Sequence, residues 1–414
     1  TALSRKLDMT RALRESGRRD TGGKARVGSA ITVVQLALSL TLLVGAGLLT
    51  RTLLNLYAVD LGFNAEQVYS FMLNMGPQGY NADRRNAFES ALLERMRGTA
   101  GVHAAALTLN PPFGGVTGGS RLRHPEDPEK QSRVILEWVS PNYFETLRAG
   151  MVDGRAIGPE DMRSGAGPTP VVVSAMLARQ LFGSSPPVGR TVSEGVGEQR
   201  ELLIVGVAAD KRLASLTGDP EAVLYQPLDA QPRYGDWTVL LLRTTLPLED
   251  AEALVRKTVD SLDPALPLTQ VERLSDKVER HLSEERLFAR LFVALASIAL
   301  LMAAIGLYAV IAYGVAQRTR EIGIRMALGA RRRRVMAMVL KQAGVLAGIG
   351  TVLGIAGGLV LSRFIENRLF GVEPLDPGVY AGAAMMFGVV ALAAAYVPTR
   401  RATRIEPVVA LRHE

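Results

Sequence analysis

Cysteine is absent from the 414 residues, and only four histidines occur. Disulfides and thiolate metal sites are thereby excluded, so any domain outside a membrane must be held by its apolar core alone. The histidines (His103, His124, His281 and His413) are far apart and show no ligand-like spacing, so no metal or other cofactor is expected. Aromatic residues make up only 6% of the chain. A net charge of +8 would suit a nucleic-acid partner, but the basic residues flank apolar runs and lack interleaved aromatics, so none is expected. Catalytic signatures are missing as well: there is no G-x-S-x-G elbow and no H-E-x-x-H. The acidic pairs Asp127/Glu129 and Glu160/Asp161 read as ordinary surface carboxylates. A phosphate-binding G-x-x-x-x-G-K-[ST] loop is also lacking. Its nearest approach, Gly22-Gly23-Lys24-Ala25, has Arg18 where the first glycine belongs and no hydroxyl for magnesium.

Charge disappears altogether from four long stretches, residues 27–50, 291–317, 342–362 and 377–399. A helix rising 1.5 Å per residue needs roughly 20 apolar residues to cross a hydrocarbon core of about 30 Å. Each stretch meets that length, and the expected fold is an α-helical membrane protein with four transmembrane helices plus a large α+β extracytoplasmic domain. The first stretch is too long for the apolar core of a signal peptide and runs into Arg51 without a small-residue cleavage pair.

Basic residues set the orientation. Residues 1–26 hold eight Lys/Arg against three acidic side chains, and residues 318–341 hold eight against Glu321 alone. The tail 400–414 holds four against two, whereas the loop 363–376 holds two against three. Lys and Arg concentrate on the cytoplasmic side, which places both termini and the second connector inside. The expected boundaries are a basic segment 1–26, spans 27–50, 287–317, 335–363 and 377–399, an external domain 51–286 of one or two subdomains, a connector 318–334, a short outer loop 364–376 and a tail 400–414.

Within the external domain, residues 67–73, 102–109, 133–139, 170–173, 202–207 and 237–242 read as strands. Residues 81–97, 141–147, 175–181 and 248–262 read as helices. The Gly/Pro-rich stretches 110–120 and 159–170 read as mobile loops. Residues 274–290 are expected to form one charged helix leading into the second span as a stalk. Small residues at Gly344/Gly348, Gly350/Gly354 and Gly354/Gly358 would allow close helix approach. No span holds a buried charge, which argues against an ion-coupled carrier.

The connector carries the most specific pattern. From Arg318 it reads Arg-Thr-Arg320-Glu321-Ile322-Gly323-Ile-Arg325-Met-Ala327-Leu-Gly329-Ala330-Arg331-Arg332-Arg333-Arg334. As a short amphipathic helix it turns Ile322, Met326 and Leu328 to one side and Arg318, Glu321 and Arg325 to the other. Glu321 and Arg325 stand at i, i+4 in the favourable order, and the Arg331–Arg334 cluster can lie at anionic headgroups.

This segment resembles the E-I-G-I-R-x-A-L-G-A-R signature of the MacB/FtsX-like permease family. Residues 33–49 (VVQLALSLTLLVGAGLL) are similar to that family's first span, and 139–147 (VSPNYFETL) with Gly154-Arg155 to its periplasmic core. The resemblance implies a permease component in a bacterial inner membrane, its large domain in the periplasm. It also implies that 318–334 couples to a separate ABC ATPase subunit, and that inner movements are relayed to the periplasmic domain for export or extraction of a substrate. Residues 7–14 (LDMTRALR) echo 405–412 (IEPVVALR), so the chain is expected to be the C-terminal half of a duplicated permease of acidobacterial type. The expected partners are thus an ATPase, a second permease half or a homodimer mate, membrane lipids and a periplasmic or outer-membrane protein. Two rivals use the same architecture: a regulatory protein that activates an extracytoplasmic partner such as a wall hydrolase, and a membrane-anchored enzyme.

Overall fold

The computed structural model describes residues 2–114, 118–123, 131–162, 167–195, 200–213, 215–230, 237–318, 324 and 332–402. Side chains are described from residue 27 onward, Arg332 and Ala402 excepted. In chain order, helix α1 (Ala2–Tyr57) leads to β1 (Val68–Asn74), α2 (Ala82–Arg97), β2 (Val102–Thr108), β3 (Gly118–Arg123) and β4 (Gln131–Val139). Next come α3 (Tyr143–Thr146), β5 (Met151–Gly154), β6 (Thr169–Ser174), α4 (Ala175–Phe182), β7 (Thr191–Glu194), β8 (Arg200–Ala208) and β9 (Val223–Pro227). Then follow β10 (Trp237–Thr244), α5 (Leu248–Leu262), β11 (Leu268–Arg273), α6 (Leu274–His281), α7 (Ser283–Gln317), α8 (Arg332–Phe364) and α9 (Pro377–Ala402). Two compact units result, one from Thr1–Tyr57 with Glu284–Glu414 and one from Ala58–Ser283.

Among the described residues, the first unit contains four helices long and apolar enough to cross a membrane: Val27–Tyr57, Ser283–Gln317, Arg333–Phe364 and Pro377–Arg401. Leu36, Leu40, Val44 and Leu48 recur every four residues on α1 and are all but fully buried, as one face of a helix dictates. Opposite them on α8 stand glycines at the same spacing. A Cβ on Gly350 would lie 2.7 Å from Leu36 Cβ, one on Gly354 2.7 Å from Leu40 Cβ, and one on Gly358 3.3 Å from Val44 Cγ1. Only hydrogen fits at the first two. Apolar side chains gain little by leaving lipid, so such close backbone approach is what drives helix association in a membrane. Thr41 adds a polar contact, its hydroxyl 3.1 Å from the Gly354 carbonyl. The Gly344/Gly348 pair behaves otherwise, with nothing within 4 Å of a Cβ at either position.

α1 continues beyond its uncharged run because its polar outer end has partners in the short loop before α9. Arg51 lies 2.6 Å from Asp376, and Asn55 donates to the carbonyl of Gly371 at 2.9 Å. Asp376 also accepts from the Val379 amide at 3.0 Å. With Pro377 as the first helical residue it starts α9 in the usual way, an acidic cap followed by a pre-set φ.

Among the described residues, the second unit is built on eleven strands. β11-β1-β10-β2 form one antiparallel run. β4-β3-β7-β8-β6-β9 form another, and β9 pairs back onto β4 to close a six-stranded ring. The ladder between the two parts runs through Thr108↔Val139, flanked by hydrogen bonds from the Leu109 amide to the Trp138 carbonyl at 3.3 Å and from the Ser140 amide to the Leu107 carbonyl at 2.9 Å, and one apolar core spans both. α2 and α5 pack on the first part through Phe88, Leu92, Met96, Val255 and Val259. Asn81 caps α2 by accepting from the Arg84 amide at 2.8 Å, and Ser174 caps α4 by accepting from the Leu177 amide.

Four expectations are corrected. The stretch 159–170 is not wholly loop, because Thr169 and Pro170 pair with Leu202 and Leu203 as the start of β6. Asp161 is not an ordinary surface carboxylate, because it is buried and accepts from the Arg155 guanidinium and the Gly158 amide. The stretch 110–120 is not wholly loop, because Gly118–Ser120 pair with Val134–Leu136 as the start of β3. The proposed stalk is not one helix. α6 ends at His281, and Leu282, only 2% exposed, separates it from α7. Burying an apolar side chain at that point outweighs continuing the helix through a strongly charged stretch.

Candidate functional site

Most of the connector read as the coupling site lies outside the described residues, namely Arg320, Glu321, Ile322, Gly323, Arg325, Ala327, Gly329, Ala330 and Arg331. Arg318 follows α7 directly, its amide donating to the Val315 carbonyl at 3.1 Å, and Ile324 is helical and exposed. Arg332, Arg333 and Arg334 open α8, the latter two exposed. Cations in a first helical turn oppose the helix dipole by some tenths of a kcal/mol each. Their placement there is therefore not explained by helix stability and fits an anionic surface beside them.

Inside the external domain, the incoming and outgoing segments are tied together. Phe63 lies just after α1 and His281 at the end of α6, and Phe113 stands between them. The Phe113 ring is 6.4 Å from Phe63 and 4.9 Å from His281, centre to centre. Its amide donates to the Leu213 carbonyl at 2.6 Å, while the Arg212 amide donates to Leu61 at 3.1 Å. Phe63, Phe113, Leu213 and Leu282 are all buried. Phe113 adopts φ +57°, a region bulky residues avoid and hold only when their surroundings compel it. The sequence reading missed this residue because its Gly/Pro-rich neighbours signal a loop.

Arg243 on β10 reinforces the incoming segment. Its guanidinium donates to the carbonyls of Thr146 at 2.6 Å, Asn64 at 2.9 Å and Glu66 at 3.1 Å. A planar fork of donors suits three carbonyls converging from different segments.

Next to Leu213 is a wholly buried cation. Lys211 Nζ lies 4.3 Å from the Phe144 ring centre and 4.8 Å from those of Tyr143 and Tyr225. Such a cage favours a cation through the ring faces, and Glu137, 2% exposed, is the carboxylate that acts on it. Burial pulls Lys211 down to about 7 and pushes Glu137 up to about 8, each opposed by the charge of the other. Thr108 adds a hydroxyl 3.2 Å from Glu137. No spacing in the sequence marks this group, because its members come from β4, α3, β9 and the segment after β8.

A cleft of about 330 Å³ opens where the two sheet parts meet. α2 contributes Asn86, Glu89, Ser90, Leu93 and Arg97, and the remaining wall includes Leu107, Ser140, Met162, Leu228 and Asp229. Glu89 is 6% exposed and accepts from the Thr238 hydroxyl at 2.6 Å. Burial raises its carboxyl to about 7 and that of Asp229 to about 6.

Comparison with known proteins places the chain. The family model for the MacB-like periplasmic core domain matches residues 29–265, and that for the FtsX-like permease C-terminal matches residues 293–407. The chain belongs to the MacB/FtsX-like permease family. Among similar proteins, a macrolide export ATP-binding/permease protein MacB of Wolinella succinogenes is 28% identical over 252 residues, covering 59% of this chain and 38% of that one. A pyoverdine export ATP-binding/permease protein PvdT of Pseudomonas putida is 27% identical over 253 residues, with coverage of 59% and 38%. The chain thus spans about two fifths of the length of these curated relatives. The periplasmic region of MacB from Actinobacillus actinomycetemcomitans is similar at 14% identity, covering 54% of this chain and 94% of that one, with a TM-score of 0.36. As a MacB/FtsX-like permease, the chain is a membrane protein with four candidate spans and an extracytoplasmic α+β domain. The FtsX-like match contains the whole 318–334 connector.

Proposed function

We propose that this chain is the permease component of an ABC system, coupling ATP hydrolysis by a separate subunit to movement of its external domain for export or extraction of a substrate. The observation that carries this reading is the connector motif, Glu321-Ile-Gly-Ile-Arg325-Met-Ala-Leu-Gly-Ala-Arg331, lying within the FtsX-like permease match. Glu321 and Arg325 are opposite charges four positions apart in the sequence, a pattern suited to reciprocal ion pairs with a partner, and the Arg331–Arg334 run suits anionic headgroups. The chain resides in a bacterial inner membrane with both termini and the connector in the cytoplasm, as its basic residues favour. A second permease half or a second copy of this chain completes the transporter.

The inward end of this relay is the connector. Its outward end is the Phe63–Phe113–His281 cluster, which ties the segments entering and leaving the external domain and so converts their displacement into movement of the loop that carries Lys211. The tagged chain expressed in its native host should co-purify an ABC ATPase. Paired charge reversal, Glu321→Arg with Arg325→Glu, should remove that ATPase while leaving the amount of membrane-inserted chain unchanged. Wild-type chain that captures no ATPase, or a reversed variant that captures as much, overturns the reading. Capture of a wall hydrolase without an ATPase would support the regulatory alternative instead.

A further inference from the structure

We infer that Ala209–Leu213, between β8 and β9, form a releasable strap: Lys211 plugs it into the ring, and displacement of the segment entering the domain draws Lys211 out into water. The strap is short, yet it is held by several separate neighbours. The Ala209 amide donates to the Gly150 carbonyl at 2.9 Å. Asp210 accepts from the Met176 amide at 2.5 Å and from the Arg179 guanidinium at 2.6 Å. The Arg212 amide donates to the Leu61 carbonyl, and the Leu213 carbonyl accepts from the Phe113 amide. The incoming segment also lies directly against the strap. Gly62 stands at φ +72°, and a Cβ there would fall 2.1 Å from the Asp210 carbonyl oxygen and 3.1 Å from Lys211 Cα. Only glycine permits that backbone approach.

Lys211 is what makes the strap releasable. It is wholly buried, yet among the described residues its Nζ has no hydrogen-bond partner. The hydroxyls of Tyr143 and Tyr225, whose rings form the cage with Phe144, are buried and without a partner as well. Buried polar groups are nearly always paired, and a cluster that is not carries a cost that hydration removes. The ring faces and Glu137 offset part of that cost for Lys211. Glu137 on β4 is the charged group that acts on it. Tyr143 on α3 and Tyr225 on β9 are the other titratable groups facing it, and Asp210 and Glu221 act on Tyr225. Withdrawal of Lys211 therefore hydrates an ammonium that the cage holds only by ring faces and one buried carboxyl.

Protonation gives the release a direction. In the cage Lys211 keeps its proton only up to about 7, whereas a hydrated lysine keeps it to 10.5. Between those values the released state binds the extra proton, so release is favoured as pH falls toward 7 and levels off below it. Glu137, left without the opposing ammonium, holds its proton more tightly, which acts in the same direction. The strap would serve as the outward end of the relay proposed above, a role that rests on that reading. Its release is measured without an ATPase, so the two can fail separately.

The test is hydrogen exchange read by mass spectrometry on the 414-residue chain in lipid nanodiscs. Protection is corrected for intrinsic exchange and compared between the strap and α5, which reports opening of the whole domain. In the parent the strap should be less protected than α5, the mark of local release. Lys211→Met keeps the stem in the cage without its charge and should raise strap protection about tenfold. Between pH 9 and pH 7 the parent's strap protection should fall about tenfold, and Lys211→Met should lose that dependence. Gly62→Ala drives the incoming segment against the strap and should lower strap protection about tenfold with α5 unchanged. A strap as protected as α5, a Lys211→Met protein that is unfolded or no better protected, or a parent without the fall toward pH 7 overturns the inference. So does an unchanged strap in folded Gly62→Ala protein.

Discussion

Arg243 offers a quantitative test of how the external domain holds its incoming segment. Replacing it with Met keeps much of the buried stem but removes three hydrogen bonds, to Thr146, Asn64 and Glu66. Bonds to a charged donor each contribute roughly 1.5–3 kcal/mol. Two offsets reduce the sum. The Arg243 contacts with Asn64 and Glu66 are only partly buried, so water can replace the guanidinium there, and a buried charge no longer has to be desolvated. The expected loss is therefore about 2–4 kcal/mol. Arg243→Lys should cost at least as much, because it keeps the charge while losing the fork that serves three carbonyls. The assay is favourable because the protein has two tryptophans, Trp138 and Trp237, both in the external domain. Urea unfolding followed by tryptophan emission thus reports that domain within this 414-residue chain. With a slope near 2–3 kcal/mol/M the midpoint should fall by about 1 M. Midpoints for both variants within about 0.2 M of the parent would refute the reasoning.

Other expectations follow from the same geometry. Gly354→Leu should lower the thermal stability of the detergent-solubilised protein by roughly 1–3 kcal/mol through overpacking against Leu40, whereas Gly348→Leu, with open space around it, should leave it unchanged, as read by size-exclusion recovery after heating. Phe113→Ala should destabilise the domain by about 3 kcal/mol in the urea assay, and Phe113→Leu by clearly less, because a buried ring is lost and its cavity only partly closes. Domain stability should also vary with pH. Glu137 and Glu89 hold their protons in the fold up to about 8 and about 7, so their contribution is full below the ordinary carboxylate range and declines as pH rises through those values. Lys211 loses its proton in the fold above about 7 while the unfolded chain keeps it, so stability recovers toward pH 10. A urea-midpoint minimum near pH 7–8 is expected, with a flattened falling limb in Glu137→Gln; a monotonic profile in the parent would contradict it.

The spans and most of the domain's regular elements were legible because both depend on local pattern. Residues 248–262 repeat apolar positions at helical spacing and form α5 over the same bounds. The strands read at 133–139 and 237–242 appear as β4 and β10, each slightly longer. Elements without an apolar signature of their own escaped. β5 is mostly exposed, β7 has four residues, and β3 begins with two glycines; each exists because a neighbour offers a ladder. The α6/α7 break escaped for the opposite reason, since nothing local announces that Leu282 will be buried by distant residues. Glycine spacing on α8 was visible, but which glycines meet α1 was not. Gly350, Gly354 and Gly358 share a face with Gly357, whereas Gly344 and Gly348 do not meet it. Least legible were Lys211 with Glu137, brought together by the closed ring, and Glu89 with Thr238, brought together by α2 packing on the four-stranded part, since these partners are separated by tens of residues.

The glycine ladder also limits how the membrane unit can move. Its contacts repeat every four residues, so sliding α8 along α1 regains the same fit only after about 6 Å, at 1.5 Å per residue. Smaller slips would drive Leu36 or Leu40 into backbone. α1 and α8 therefore behave like meshed racks, free to rock together yet barred from gliding past one another. Any push delivered to α8 from its arginine-bearing end is shared by α1, and the working part is a locked pair of helices rather than a single one.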